Sequence, residues 1–379
     1  MALYELALMG APSDAQIVAL KKHIQQVIAP FGLHLGVEVG WKVLPTVFDP
    51  SSKTSAAVAF FGGLGVSDKG IPELLRKGIP ILPVVSTLDR FEVEIPPSLR
   101  SLNGIGYDSD GQARVSTALL ECLGLLPHQR RVFVSYRRQE ARDAALQLFD
   151  ELSARRFDVF LDAHGIPPAE DFQAMLWHRL CDSDVLLMLD TASYFESRWT
   201  DAEFGRALAK GISVFRVGWP AVNPSPRISM TSRIDLLEDA FVNSSSLLKP
   251  ETIERICEQL ETLRCSSQVV RNLNLVSTIR QAVERIGGTV TGVGLHRGVY
   301  LHLPCNLDIV VYPAIGVPTS LTLNDAADNA PGVDVGVVYD HVGLHNTWLK
   351  HLAWLGDNIK SVRWIKASEA AWNFGGWNA

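Results

Sequence analysis

Residues 183–219 read SDVLLMLDTASYFESRWTDAEFGRALAKGISVFRVGW. An apolar run (VLLMLD, 185–190) gives way to polar punctuation, then to a segment with helical apolar spacing (TDAEFGRALAKG, 200–211), then to a second apolar run (ISVFRVGW, 212–219). Upstream the same alternation continues, with RVFVSY (131–136) and DVFLD (158–162) as strands and ARDAALQLFDELSARR (141–156) and EDFQAMLWHRLCDS (170–183) as helices. Short apolar strands separated by helices of about 10–15 residues imply parallel crossovers. The expected fold is therefore a doubly wound α/β sheet, whose ligand crevice lies beyond the carboxyl ends of its strands. Near one such end the quoted stretch places Trp199 one helical turn before Glu203.

Working outward, residues 1–127 repeat the plan, with YELALMG, VAFFGG and IPILPVVS alternating with the helix-period segment DAQIVALKKHIQQVIAPFG. Aligning Lys77-Gly78-Ile79 with Lys210-Gly211-Ile212 puts Gly70 opposite Glu203 and Val66 opposite Trp199. The first copy thus lacks the Trp–Glu pair, and its GG offers instead a weak phosphate-cradling signal. A Pro/Ser-punctuated stretch (220–250) precedes the helix ETIERICEQLETLR, which closes a second unit at 130–265. A third α/β unit, 266–379, reads as a helix (VSTIRQAVERIGG), three closely spaced strands (TVTGVGL, GVYLHL, DIVVYPAIG), a helix and the strand VDVGVVYD.

Composition excludes several classes of function. A chain of 379 residues, 47% hydrophobic and 20% charged, is ordinary for packed globular domains. A net charge of −6 gives no bulk attraction to nucleic acid or anionic lipid. The start, MALYELALMGAPSD, lacks the basic region and apolar core of a signal peptide, and no stretch supplies the roughly 18 apolar residues of a membrane span. A cytoplasmic protein is the expectation. Five scattered cysteines without a CxxC pair predict reduced thiols and no metal site.

Residues 131–219 resemble a bacterial Toll/interleukin-1 receptor (TIR) domain. The resemblance is carried by RVFVSYRRQEARD, FDVFLDAHGIPPAEDF, SDVLLMLDTASYFESRW and the Trp199-to-Glu203 segment, in that order and spacing, although Ala169 stands where many relatives have Gly. It implies a flavodoxin-like TIR domain, flanked here by an N-terminal TIR-like α/β domain and a C-terminal α/β domain. Enzymatic members of that family cleave the nicotinamide–ribose bond of NAD+, so NAD+ enters as substrate and no separate cofactor is implied.

One carboxylate suffices for that reaction, because the nicotinamide of NAD+ is already cationic and departs without a proton. Glu203 would hold the ribose hydroxyls and stabilise the oxocarbenium-like charge. Alternatively it is a solvated first-turn carboxylate favoured by the helix dipole. By the same resemblance Trp199 and Ser197 line the pocket, while Arg137 and Arg138 meet the pyrophosphate as bidentate donors or are simply solvated. Asp162 shapes the entry loop or forms a turn, and Phe133 belongs to the pocket or, as a strand-interior residue, to the core. The resemblance further implies self-association through TIR domains, with HGIPPAED packing on the next protomer, and open filaments if the contact is head-to-tail. A role in defence against phage, released by an unidentified trigger, follows from the same source. A cyclase making a cyclic ADP-ribose-type signal and a non-enzymatic scaffold are the alternatives.

In the third unit Asp340, His341, His345 and His351 follow a strand end, and His296 sits in a similar GLHRG, which raises a small ligand or metal site as one reading. Trp348, Trp354, Trp364, Trp372 and Trp377 crowd the last 32 residues, and the tail FGGWNA is a candidate docking segment.

Overall fold

Among the described residues three five-stranded sheets organise the chain, within 4–106, 131–235 and 289–366. The computed structural model describes residues 4–29, 33–51, 54–108, 111–125, 130–155, 157–161, 172–228, 231–242, 245–304 and 306–377. The first sheet holds β1 (Tyr4–Gly10), β2 (Val39–Val43), β3 (Ser55–Phe61), β4 (Ile81–Val85) and β5 (Ile105–Gly106), all parallel, in the order β2-β1-β3-β4-β5. The second holds β6 (Arg131–Tyr136), β7 (Asp158–Leu161), β8 (Val185–Asp190), β9 (Ser213–Gly218) and β10 (Ser232–Asp235), also parallel, in the order β10-β9-β8-β6-β7. Counted within each unit both orders are 2-1-3-4-5, the flavodoxin-like arrangement.

The kinship extends to local geometry. Gly78 and Gly211 both end a helix in the left-handed region, at φ +70° and +68°. In each copy the next residue's amide turns back into the helix, Ile79 to the Leu74 carbonyl and Ile212 to the Ala207 carbonyl. The alignment through Lys-Gly-Ile therefore holds in three dimensions. The first copy's helix, Ile71–Arg76, is shorter than Arg198–Ala209, and Gly70 caps it at φ +86° rather than lying within it.

Strands covered on both faces read as unbroken apolar runs, and β3 and β8 are buried along their whole length. The period of two sorts β6 residues between faces. Val132, Val134 and Tyr136 join one core, and Phe133 faces the other with Leu186, Met188 and Phe204.

In the third sheet β11 (Thr289–Val293), β12 (Val299–Leu303) and β13 (Leu307–Ala314) are antiparallel neighbours, and β14 (Asp334–Tyr339) and β15 (Val362–Lys366) continue parallel to β13. The first and third units share one core, in which Leu20, Ile24 and Leu119 pack in the same cluster as Val299, Ile309 and Phe374.

One helix, Pro250–Arg285, runs unbroken through residues 265 and 266, where the sequence suggested two helices and a unit boundary. Its first half gives Ile253, Ile256 and Leu260 to the central core, and its second half gives Val269, Ile279 and Val283 to the shared core. The apolar stripe is interrupted between the halves by polar residues with tertiary partners. The Ser267 hydroxyl donates to the Asp184 carbonyl at 2.9 Å, the Gln268 amide donates to the Asp184 carboxylate, and Arg271 donates to the Ser183 carbonyl. Arg264, fully buried, faces Glu261, Glu121 and Asp184 where the units meet. No helix among the described residues is long and apolar enough to cross a membrane.

Candidate active site

In a 2-1-3-4-5 sheet the strand order reverses between the first and third strands, and a crevice opens at their carboxyl ends. In the central unit these strands are β6 and β8. Ser135, next to last in β6, lies on the same strand face as Phe133 and opposite Met188. Tyr194 follows β8 in a short 3-10 turn, and Glu203 projects from the helix Arg198–Ala209. The three side chains meet: the Ser135 hydroxyl donates to Glu203 Oε2 at 2.5 Å and stands 2.6 Å from the Tyr194 hydroxyl. Because Ser135 spends its hydrogen on the carboxylate, it accepts from Tyr194, and the chain of donors is polarised toward Glu203.

Glu203 is only 5% exposed and Tyr194 is fully buried. Burial drives the Tyr194 hydroxyl well above the ordinary phenol range, and the charge of Glu203 adds to the effect, so the phenol stays protonated and serves as a donor. The Thr200 hydroxyl anchors the helix start by donating to the carbonyls of Tyr194 and Ser197. Glu203 is thus an enclosed carboxylate, and the reading as a solvated first-turn residue is set aside by its burial.

Other residues singled out by sequence fall into place unequally. Trp199 is 38% exposed, one helical turn before Glu203, and Ser197 is the half-buried N-cap residue of the same helix. Arg137 caps the helix Arg138–Ala154, and its guanidinium donates to the Ser193 carbonyl at 2.7 Å and to Glu196 at 2.9 Å. It therefore braces the loop after β8 rather than standing open to a pyrophosphate. Arg138 is exposed. Phe133 is wholly enclosed, 5.1 Å from the Phe160 ring, and presents no surface to a ligand; its place is the core. Asp162, Glu170, Asp171 and the rest of the HGIPPAED loop lie outside the described residues.

Sequence reasoning passed over Ser135 and Tyr194, although a serine in the otherwise apolar run of the strand RVFVSY was a readable signal for the first. It also passed over Arg216, a fully buried arginine in β9 that pairs with Asp190 at 2.6 Å and with Asp235. A Cβ on Gly218 would collide with that guanidinium. The pair ties together β8, β9 and β10 at the end of the sheet that carries the site.

In the first unit the switch point is closed by backbone. The Gly62 amide donates to the Val84 carbonyl at 2.7 Å and the Gly63 amide to the Glu94 carbonyl at 2.9 Å, so these amides are not available to cradle a phosphate. A Cβ on Gly62 would stand 2.8 Å from the Glu94 carbonyl oxygen, which is why glycine is needed there.

In the third unit Asp340 is held by Lys210, at 2.7 Å, from the end of the Glu203 helix, and Lys210 also donates to the Asp340 and Val342 carbonyls. His345 caps the helix Asn346–Asn358, its Nδ1 accepting from the Thr347 amide. Among the described residues no three His, Cys, Asp or Glu side chains are grouped to hold a metal. Trp377 is buried, its indole N–H donating to Asp334 and its ring under Arg363, so the tail as far as Trp377 packs on its own chain, whereas Trp354 and Trp372 are exposed. Two adjoining clefts, of about 510 Å³ and 170 Å³, lie along the helix Phe172–Asp182, and Glu203 lines neither.

Residues 132–245 match the family model described as the TIR domain, and the central unit is a TIR domain. No curated protein matches the chain. Among solved structures, tagatose-6-phosphate ketose/aldose isomerase from Escherichia coli is 12% identical, with 71% of this chain and 82% of that one covered at a TM-score of 0.19. A conserved domain protein from Vibrio cholerae is 11% identical, with 85% and 98% covered at a TM-score of 0.19. Likenesses this slight carry no argument about fold or function.

Proposed function

We propose that the TIR domain cleaves the bond between nicotinamide and ribose in NAD+, with Glu203 as its working carboxylate. The observation that carries this reading is the enclosed Glu203 at the β6/β8 switch point, bonded to Ser135 and through it to Tyr194. As the C–N bond breaks, nicotinamide leaves with the bonding electron pair and becomes neutral, and the ribose ring takes up positive charge. A carboxylate shielded from water stabilises that charge more strongly than one in bulk solvent. Water then captures the cation and loses a proton, giving ADP-ribose.

Since Glu203 is covered, substrate entry requires a rearrangement around it, and we take the closed arrangement as a resting state. Self-association of TIR domains is the proposed opening step, and a head-to-tail contact would permit open filaments. An enzyme that destroys NAD+ only when assembled would suit abortive defence against phage in the cytoplasm.

Incubating the purified chain with NAD+ over a range of protein concentrations, with product chromatography, tests the reading. Nicotinamide with ADP-ribose supports hydrolysis, and nicotinamide with a cyclic nucleotide assigns the cyclase alternative. Glu203→Gln keeps size and hydrogen bonding but removes the charge, and turnover is expected to fall by about 10²–10³. Wild-type turnover in that folded variant would overturn the assignment.

A further inference from the structure

The larger cleft, about 510 Å³, lies between the TIR domain and the third unit and is within the range of small-molecule sites, about 300–1,000 Å³. Arg179 and His178 line one wall, and Trp348, Thr319 and His345 line the other. We infer that this cleft binds a small phosphorylated aromatic compound of the nucleoside monophosphate class, and that the site is separate from Glu203.

Three features specify the anion. Arg179 is exposed at the cleft and has no ion-pair partner among the described residues, its guanidinium lying 6.0 Å above the Phe160 ring. Two helices begin at the opposite wall, Ser320–Asn329 after its cap Thr319 and Asn346–Asn358 after its cap His345, and helix N-termini favour negative charge. With Nδ1 accepting the Thr347 amide, a neutral His345 carries its proton on Nε2 as a further donor. The carboxylate at the site, Asp182, is already engaged, its Oδ1 accepting from Arg131 at 2.5 Å and from the Val317 amide at 2.9 Å. It therefore does not repel an incoming anion as a lone charge would.

The planar part follows from Trp348. Its indole N–H donates to the Pro318 carbonyl at 2.9 Å, which fixes the ring, and the rings of His178 and His351 flank it at 5.2 Å and 5.3 Å. A fixed indole beside apolar Met175 and Val317 suits a flat heterocycle.

The site is also placed to influence the Glu203 helix. From that helix Arg206 stacks on Trp177, 3.1 Å from the ring centroid, in the helix that forms one wall, and at its end Lys210 binds Asp340 in the unit that forms the other. Only this consequence rests on the proposed reaction; binding itself does not.

Calorimetric titration of the full chain with adenosine monophosphate, adenosine and inorganic phosphate tests the inference. Adenosine monophosphate is expected to saturate one site and to bind at least about tenfold more tightly than either part alone. Arg179→Gln and Trp348→Ala should each weaken it by about tenfold or more, and Glu203→Gln should leave it unchanged. Should Trp348→Ala fail to fold by circular dichroism, the exposed Arg179→Gln decides alone. Absence of saturable binding, binding that survives Arg179→Gln, or binding lost in Glu203→Gln would overturn the site.

Discussion

Ser135 and Glu203, 68 residues apart in sequence, are joined by a 2.5 Å hydrogen bond in which the hydroxyl donates to a carboxylate almost sealed from solvent. Removing either donor of the chain should register as lost stability. Tyr194→Phe deletes one neutral bond and is expected to cost about 0.5–1.5 kcal/mol, and Ser135→Ala, which strips a buried charge of a donor, about 1.5–3 kcal/mol. Because both act through one oxygen, the double variant should lose less than the sum of the two. Urea midpoints at constant slope measure all three, and strict additivity would contradict the polarised chain.

If assembly opens the covered carboxylate, specific activity is a function of protein concentration. Nicotinamide release per milligram should rise across a dilution series in step with mass measured by light scattering. Charge reversal at Glu170 or Asp171 should impair assembly while leaving the circular dichroism spectrum intact. A monomer of constant specific activity would instead place the whole pocket within one chain.

Burial lowers the pKa of His178, with Arg179 and His345 adding to the effect and Asp182 opposing it. The unfolded chain therefore takes up that proton first as pH falls below about 6.5. The stability associated with neutral His178 is full above that pH and declines as the pH drops toward the folded-state value. His23, also lowered by burial, acts in the same direction, and Asp184, raised to about 6 chiefly by burial, acts in the opposite one. Comparing wild type with His178→Gln isolates the one residue. The stability lost between about pH 7.5 and about pH 5.5 should be smaller in the variant, and equal losses would show that His178 titrates alike in both states.

Lys210, with a side chain 6% exposed, fastens the end of the Glu203 helix to the third unit through Asp340. Lys210→Met should destabilise by about 1.5–3 kcal/mol, since it leaves two carbonyls and a carboxylate short of a charged donor. In Asp340→Asn the Lys210 ammonium keeps both carbonyl acceptors and meets an amide oxygen in place of the carboxylate, so that variant should cost less. Thermal or urea denaturation of the two variants checks the order, and the reverse order would mean that the carboxylate, not the cation, carries the contact.

Much of this was legible in the chain. Apolar runs alternating with helical spacing placed the buried strands of each unit but not β2, β5, β10 or β15, which are short or partly exposed and carry no apolar run, and Lys-Gly-Ile aligned two copies because the left-handed glycine is a local requirement. Glu203 stood out by its spacing from Trp199, and the resemblance to TIR domains gave it its expected role. Its partners did not stand out, because Ser135 and Tyr194 reach it only through the order of strands, which no local pattern encodes. The continuity of Pro250–Arg285 escaped for a related reason: Ser267, Gln268 and Arg271 interrupt the apolar stripe, and the bonds that retain them in a helix come from residues some eighty positions earlier. The merging of the first and third cores is likewise a matter of which faces meet.

That helix also limits how such a chain can be recombined. At 36 residues and about 1.5 Å per residue it works as a shaft whose two ends are keyed to different cores. Inserting a single residue near its middle would turn one end by about 100° against the other and swing Ile279 and Val283 out of register with the core they now fill. Gene fusions that splice a new amino-terminal unit onto this carboxyl-terminal half are therefore expected to survive only when the join preserves helical phase, so that inheritance here acts on rotation as well as on sequence.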